Sequence, residues 1–173
     1  NAAFVPSYSK ELIKGKKKSE NIANNIFNLL TIFLLVLVLL IELFMPLFVS
    51  LIAPGFKSDP EKFLLATQLT KITFPFILFV SLASFFSAIL NSHNRFAAAS
   101  ATPIILNILM IGILLFGKIL DKKLVIYLSY GVSVAGFIQV IFLIIFVKKF
   151  FKPKFHFKLN ISKNIKLFFK KLL

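Results

Sequence analysis

Side chains that could carry out acid–base, nucleophilic or metal chemistry are few in this sequence and far apart. There is no cysteine, which excludes disulfides and thiolate metal ligands. The two histidines, His93 and His156, are 63 positions apart with no third ligand nearby, so we expect neither a metal site nor a cofactor. The sequence contains no Ser/His/Asp set, no paired carboxylates and no phosphate-binding glycine loop. These patterns do not predict an enzyme.

The composition instead indicates a membrane protein. Of the 173 residues, 58% are hydrophobic, and the mean hydropathy of +0.91 exceeds what a soluble domain can bury. Residues 26–41 and 124–147 carry no charge, and such runs approach or exceed the roughly 20 residues that a helix needs to cross hydrocarbon. The net charge is +15, yet every basic residue except Arg95 is a lysine, and aromatic residues do not interleave with arginine. We therefore expect no nucleic-acid partner and assign the charge to loops at the membrane surface.

The apolar pattern predicts an all-α membrane protein, a polytopic bundle of four transmembrane helices. A basic amphipathic helix should follow them. The four spans are predicted at residues 26–53, 60–91, 102–120 and 124–147, within a membrane lobe formed by residues 1–149. The chain begins at Asn1 without a signal peptide, and its last residues, LFFKKLL, show no evident end of a domain. We therefore expect a fragment of a longer protein.

Local signals set the ends of these spans. Pro54 should end the first helix, and Asp59 or Ser58 should cap the second, which then runs on through Pro75. Thr102 could cap the third helix. Only residues 121–123 separate the third and fourth spans, which predicts an antiparallel hairpin.

Charges in the connections predict the orientation in the membrane. Alternate loops share a side, and fifteen basic residues then lie on one side against six on the other. The richer side should be cytoplasmic, which places both ends of the chain and a hinge around Arg95 on the cytoplasmic side of the membrane. Residues 150–173 should form a cytoplasmic basic loop and an amphipathic helix that binds anionic lipids, although a plain loop leading to another span is the alternative.

Polar residues within the predicted spans are the candidates for function. Asn28, Asn107 and Gln139 are costly to place in hydrocarbon, which makes them candidates for lining a substrate cavity. Glu42 and Lys71 are predicted at similar depths and could form an intramembrane tie. The serine and glycine residues on the same helix faces favour close helix packing over a hydrated cavity.

Six short motifs, taken in order, resemble the MurJ/MviN family of bacterial lipid II flippases. That family lies within the larger multidrug/oligosaccharidyl-lipid/polysaccharide exporter group. The motifs are "AFVP" at 3–6, "APGF" at 53–56, "PEKF" at 60–63, "LTKITFPFILFVSLAS" at 69–84, "ILNSHNRF" at 89–96 and "TPIILNILMIG" at 102–112. The hinge departs from the family pattern, with Ala99 where proline is usual and His93 where an aromatic residue is common.

The resemblance implies an architecture and a set of roles. The family has about fourteen transmembrane helices in two pseudo-symmetric lobes, and this chain would supply the end of helix 2 and helices 3 to 6 of the amino-terminal lobe. Asn91, Asn94, Arg95 and Pro103 fall in the hinge motifs and would position it, with Arg95 anchored at the headgroups rather than touching substrate. The family's cavity arginines lie in helices that this chain lacks.

The function implied by the resemblance is export of lipid II, an undecaprenyl-diphosphate-linked disaccharide-pentapeptide, by alternating access. Two alternatives stay open. One is a related exporter of other lipid-linked saccharides or drugs, and the other is a non-transporting membrane scaffold. The driving force, the stem-peptide variant and the oligomeric state do not follow from the sequence.

Overall fold

The computed structural model describes residues 4–117 and 124–155, and this part of the chain consists of helices and short connections without a strand. The helices are α1 Phe4–Ile13, α2 Lys16–Leu43, α3 Met45–Ile52, α4 Pro60–Thr73, α5 Phe76–Ser92, α6 Phe96–Ser100, α7 Thr102–Gly117 and α8 Leu124–Val147. Four helical stretches, Lys16–Leu43, Pro60–Ser92, Phe96–Gly117 and Leu124–Val147, are long and apolar enough to cross a membrane. The predicted all-α membrane bundle is confirmed.

The helix that carries the first predicted span starts before that span and is interrupted within it. Helix α2 begins at Lys16, ten residues before the predicted start of the span, and the helix is interrupted at Phe44 before α3 begins. The break has a local cause. Pro46 has no N–H with which to bond the carbonyl of Glu42, and its ring crowds that carbonyl. The apolar run alone could not show this interruption because both helices are equally apolar.

The second span agrees with its sequence signals. Asp59 caps α4 by accepting a hydrogen bond of 3.2 Å from the Lys62 backbone N–H, and its carboxylate also pairs with the Lys62 ammonium at 2.9 Å. That pairing lowers the pKa of Asp59. The helix then continues through Pro75, where the bonds shift from four to three residues apart: Ile77 N–H donates to the Phe74 carbonyl at 3.1 Å. Proline thus tightens one turn between α4 and α5 without ending the helix.

At the start of the third span, Thr102 is not the helix cap that the sequence suggested. Thr102 lies inside the first turn of α7, and its hydroxyl donates backwards to the Ala99 carbonyl at 2.9 Å instead of capping the helix ahead. The short helix α6 lies within the region predicted as a loop. Helices α7 and α8 pack against each other, and the hairpin expected between them, at residues 118–123, lies outside the described residues.

The core lies where α5 and α8 cross with α1 and the segment after α8. Helix α8 contacts α5 on one side and α7 on the other, so it is the central helix of the described bundle. Phe85, Phe86 and Phe151 are almost fully buried, and aromatic contacts connect them to one another and to Phe4 and Phe27. This aromatic cluster joins four separate parts of the chain at one end of the bundle.

The end of the described chain turns back onto the bundle. After α8, residues 150–155 leave the helix, and Phe151 inserts into the aromatic cluster with no exposed surface. The predicted amphipathic helix falls almost entirely on residues 156–173, which lie outside the described residues.

Candidate functional site

Two asparagines one helical turn apart on α2 hold the segment that follows α8. Asn24 Oδ1 accepts a hydrogen bond of 2.8 Å from the Lys154 backbone N–H, and Asn28 Nδ2 donates to the Lys154 carbonyl at 3.0 Å. Asn28 is buried, with 5% of its surface exposed. This pair, the asparagine clamp, satisfies both backbone groups of Lys154 as a neighbouring strand would. The side chain of Asn28 therefore has a partner within the chain, in addition to any role toward substrate.

The polar and small residues of α8 face its neighbouring helices. Ser133 donates a hydrogen bond of 2.6 Å to the Ile72 carbonyl of α4, and Gln139 Nε2 donates to the Thr102 carbonyl at 2.8 Å. Gln139 is 5% exposed, and Gly136 lies directly against Phe76. Ser133, Gly136 and Gln139 thus join α8 to α4, α5 and α7. The serine and the glycine take part in close helix packing, as their positions in the sequence favoured.

Asn107 is the third candidate, and its surroundings differ from those of Asn28 and Gln139. It is exposed on α7, on a surface shared with Ile104, Ile108 and Ile111, which are each more than half exposed. A polar side chain among apolar neighbours at the middle of a span needs a polar partner or water. Asn107 is thus the candidate whose side chain faces away from the described bundle.

Glu42 and Lys71 are the two residues of the predicted intramembrane tie. No ion pair within 4.0 Å joins them among the pairs found in the described ranges, although Lys71 is the cation that acts on the Glu42 carboxylate electrostatically. The Oε1 atom of Glu42 is buried without a hydrogen-bond partner. The tie stays a prediction, and the structure adds an unsatisfied carboxylate oxygen to it.

The hinge begins with a helix stop built around Asn94. The Arg95 N–H donates to the Leu90 carbonyl at 2.9 Å, and the Asn94 N–H donates to the Asn91 carbonyl at 3.0 Å. These two bonds form a Schellman motif, which requires a left-handed residue, and Asn94 has φ of 57°. Asparagine tolerates this conformation better than other residues with side chains.

The other hinge residues surround this stop. The Oδ1 atom of Asn91 is buried without a hydrogen-bond partner, Arg95 is exposed at the start of α6, and Pro103 is the second residue of α7. That these residues position the hinge remains a prediction. For Asn94 the Schellman motif explains why an asparagine is suited to the position, because the backbone there is left-handed.

His93 anchors a contact that the sequence did not reveal. Its Nε2 shares a hydrogen bond of 3.2 Å with the Tyr8 hydroxyl, and its ring stacks on Phe150 with centroids 4.3 Å apart. Burial, and to a smaller extent the nearby Lys16 ammonium, lowers the pKa of His93. Burial raises the pKa of Tyr8, so both groups are neutral near pH 7. The spacing of Phe4 and Tyr8 on one helix face was the available signal.

No group of three metal-ligating side chains occurs in the ranges 4–117 and 124–155. The arrangement is therefore one of interhelical hydrogen bonds, a backbone clamp and unsatisfied intramembrane polar atoms. Such features suit the binding of a polar group within a bundle or the movement of helices against one another.

Comparison with known proteins identifies the family. The model of the family described as lipid II flippase MurJ matches residues 1–173. The chain belongs to the MurJ family. Its relatives include the probable lipid II flippase MurJ of Rickettsia prowazekii, 39% identical over 150 residues, which is 86% of this chain and 29% of that protein. The corresponding protein of Rhizobium tropici is 38% identical over 147 residues, 80% of this chain and 27% of its own length.

The lipid II flippase MurJ of Burkholderia cenocepacia is 35% identical over 91 residues, 53% of this chain and 18% of that protein. The chain thus spans less than a third of the length of these MurJ relatives. Family membership and four apolar helices together make it part of a multi-pass membrane protein. The resemblance drawn from the ordered motifs is confirmed.

Proposed function

We propose that this chain forms part of the amino-terminal lobe of a lipid II flippase. The full protein would move undecaprenyl-diphosphate-linked peptidoglycan precursor from the inner to the outer leaflet of the bacterial plasma membrane. The observation that carries the proposal is the family match along the whole chain. Its four apolar helical stretches, tied by side-chain hydrogen bonds, supply a rigid element of the kind that alternating access moves as one body.

The bonds between helices support movement as a unit. Ser133 joins α8 to α4, Gln139 joins α8 to the start of α7, and the asparagine clamp joins α2 to the segment after α8. Each bond is worth about 1 kcal/mol inside a membrane. Together they oppose independent sliding of single helices, so motion would concentrate between this lobe and the rest of the protein.

Asn107 is the side chain that we assign to the substrate cavity ahead of Asn28 and Gln139. Its exposure on α7 leaves it available to a polar ligand or water, whereas the other two donate to backbone carbonyls within the chain. Asn28 and Gln139 would border the cavity from the interior of the lobe. The lysines of the segment after α8, including Lys152 and Lys154, would lie at the cytoplasmic surface and attract anionic lipid.

The transport proposal is tested with the full-length protein in cells depleted of their own lipid II flippase. Restored export of lipid II and restored growth are expected. Well-expressed, membrane-inserted protein that restores neither would contradict the proposal. Restored export of another lipid-linked saccharide alone would favour the related-exporter alternative, and no export of any substrate would favour the scaffold.

The orientation is tested by labelling single cysteines in a cysteine-free full-length background. Lys57→Cys and Arg95→Cys are suitable because both positions are exposed in connections between spans. A membrane-impermeant thiol reagent should label position 57 from outside the cell and position 95 only after the membrane is opened. Labelling of both positions from the same side would contradict the span assignment.

A further inference from the structure

Glu42 and Lys71 lie at matched depths on two neighbouring antiparallel parts of the chain. Glu42 is ten residues before Ile52, the end of α3, which corresponds to about 15 Å along a helix. Lys71 is eleven residues after Pro60, the start of α4, which corresponds to about 16 Å. Both distances run from the same connecting turn, Pro54–Ser58, and α3 packs against α4. The two ionisable side chains therefore lie at the same depth in an apolar layer about 30 Å thick.

The Glu42 side chain lacks the partners that an ionised carboxylate requires. Its Oε1 atom is buried without a hydrogen-bond donor, and Lys71 lies beyond ion-pair distance. An ionised carboxylate with one oxygen buried and unpaired is more costly than a neutral carboxyl group in the same place. A carboxyl that keeps its proton removes that cost.

Other ionisable groups are remote from this position. Helix α3, which follows this end of α2, and helix α5, which continues α4, contain no ionisable side chain. Helix α8, which packs against α4, carries Tyr127 and Tyr130, and the connecting turn carries Lys57. On α4 the remaining ones are Glu61 and Lys62, about 13 Å or more from Lys71 along the helix. On α2 the others, Glu20 and three lysines, lie at the opposite end, as does α1. Lys71 is thus the cation able to balance an ionised Glu42 from the described part of the chain.

We propose that Glu42 is a proton-binding site of the transport cycle, exchanging its proton for an ion pair with Lys71. In the conformation described here the carboxyl carries the proton and Lys71 lies apart. In a second conformation the O–H bond breaks, the proton passes to water, the electron pair stays on the carboxylate, and the Lys71 ammonium moves within 4 Å to balance it. This inference rests on the proposed function, because it names the ion that transport would exchange.

A proton fits this position better than a metal cation does. Hard cations take several oxygen ligands, and here the described residues offer the Glu42 carboxylate with no second acidic side chain nearby. A lysine beside the site would also repel a bound cation. Proton exchange needs one carboxyl group, a counter-charge and water, and the described residues supply the first two as Glu42 and Lys71.

The first test measures protonation directly in the purified full-length protein. Infrared difference spectra between pH 8 and pH 5 should contain a carboxylic-acid C=O band that is lost in Glu42→Gln. Glu61→Gln, which removes an exposed carboxyl group outside the span, is the matched control and should keep the band. Lys71→Met should let the band persist to higher pH, because the carboxylate then has no counter-charge. A spectrum of Glu42→Gln identical to that of the wild type would overturn the proposal.

The second test follows transport in liposomes that contain the full-length protein, lipid II and an entrapped pH-sensitive dye. Wild-type flipping should change the internal pH and should respond several-fold to an imposed pH gradient. Glu42→Gln should lose that response, whereas Glu61→Gln keeps it. A response to a sodium gradient in place of the pH gradient would refute proton exchange. If lipid II is not moved but the infrared band still depends on Glu42, the proposed function fails and the proton site stands.

Discussion

Gly136 is the position where the packing of this bundle can be tested most directly. A Cβ atom built there would lie 2.6 Å from Cδ2 of Phe76 and 2.9 Å from Cβ of Phe79, both on α5. Ordinary contacts between carbon atoms are about 3.5–4.0 Å, so the deficit is roughly 1 Å. The Phe76 ring can tilt, but the Phe79 Cβ is fixed to the backbone, so α5 must move away from α8. Gly136→Ala should therefore weaken the α5–α8 contact.

The magnitude follows from two opposing effects. Overpacking of a close contact destabilises by about 1–3 kcal/mol. Replacing a helical glycine by alanine stabilises by about 1 kcal/mol through helix propensity. Gly112→Ala on α7 is the matched control, because a Cβ there would meet no atom of the described chain within 4 Å and it receives the same propensity gain. The propensity terms cancel, so Gly136→Ala should be less stable than Gly112→Ala by about 1–3 kcal/mol.

The measurement is the thermal unfolding midpoint of the full-length protein in one detergent, followed by loss of the monodisperse peak in size-exclusion chromatography. Gly136→Ala should have the lower midpoint of the two variants. Gly136→Ala should cost less in a Phe76→Ala background than in the wild type, because the nearest clash is then absent while Phe79 stays in place. Equal midpoints for Gly136→Ala and Gly112→Ala would refute the reasoning that α8 packs on α5 through this glycine.

Three further predictions concern the hinge end of the bundle. Because the pKa of His93 is lowered, its stabilising contribution is complete above about pH 6.5 and is lost as the pH falls below that value. His93→Phe, which keeps the stack on Phe150, should reduce the drop in unfolding midpoint between pH 7.5 and pH 5.5; an unchanged drop would contradict this. At Asn94, with φ of 57°, glycine should be tolerated and valine should destabilise by about 1–3 kcal/mol in the same thermal assay; equal midpoints would contradict the helix stop. Asn24→Ala, which removes the acceptor of the Lys154 backbone N–H, should lose about 1 kcal/mol and increase hydrogen exchange at the Lys154 amide, and unchanged exchange would argue against the clamp.

The sequence was sufficient for the number and order of the spans because long charge-free runs have one stable solution in a bilayer. It also narrowed the cap of α4 to Asp59 or Ser58, of which Asp59 forms it, since a capping residue followed by proline is a local signal. It did not predict the break at Phe44, although Pro46 was visible, because proline within an apolar run is also compatible with a kinked, continuous helix. Thr102 was misjudged for a related reason: a threonine hydroxyl can cap the helix ahead or bond the carbonyl behind it.

The contacts at the hinge end depend on residues far apart in the chain, and no local pattern reveals them. Asn24 and Asn28 are one turn apart on α2, which is visible in the sequence, but their partner Lys154 is 126 to 130 positions away. Phe151 and His93 likewise meet parts of the chain that only the tertiary fold brings near. Periodicity identifies which face of a helix carries polar or aromatic residues, but it does not show which part of the chain packs against that face.

That limit explains why Asn28, Gln139 and Asn107 looked equivalent in the sequence and are not equivalent in the structure. The cost of placing an amide in hydrocarbon depends on the residue type, so it marks all three equally. The cost disappears wherever a backbone group satisfies the amide, as the carbonyls of Lys154 and Thr102 do for Asn28 and Gln139. A polar residue that is satisfied inside the lobe has a structural reason to be there, whereas an exposed Asn107 and an unsatisfied Glu42 oxygen do not. Function in this lobe should therefore be sought at the polar groups to which its own packing gives no hydrogen-bond partner.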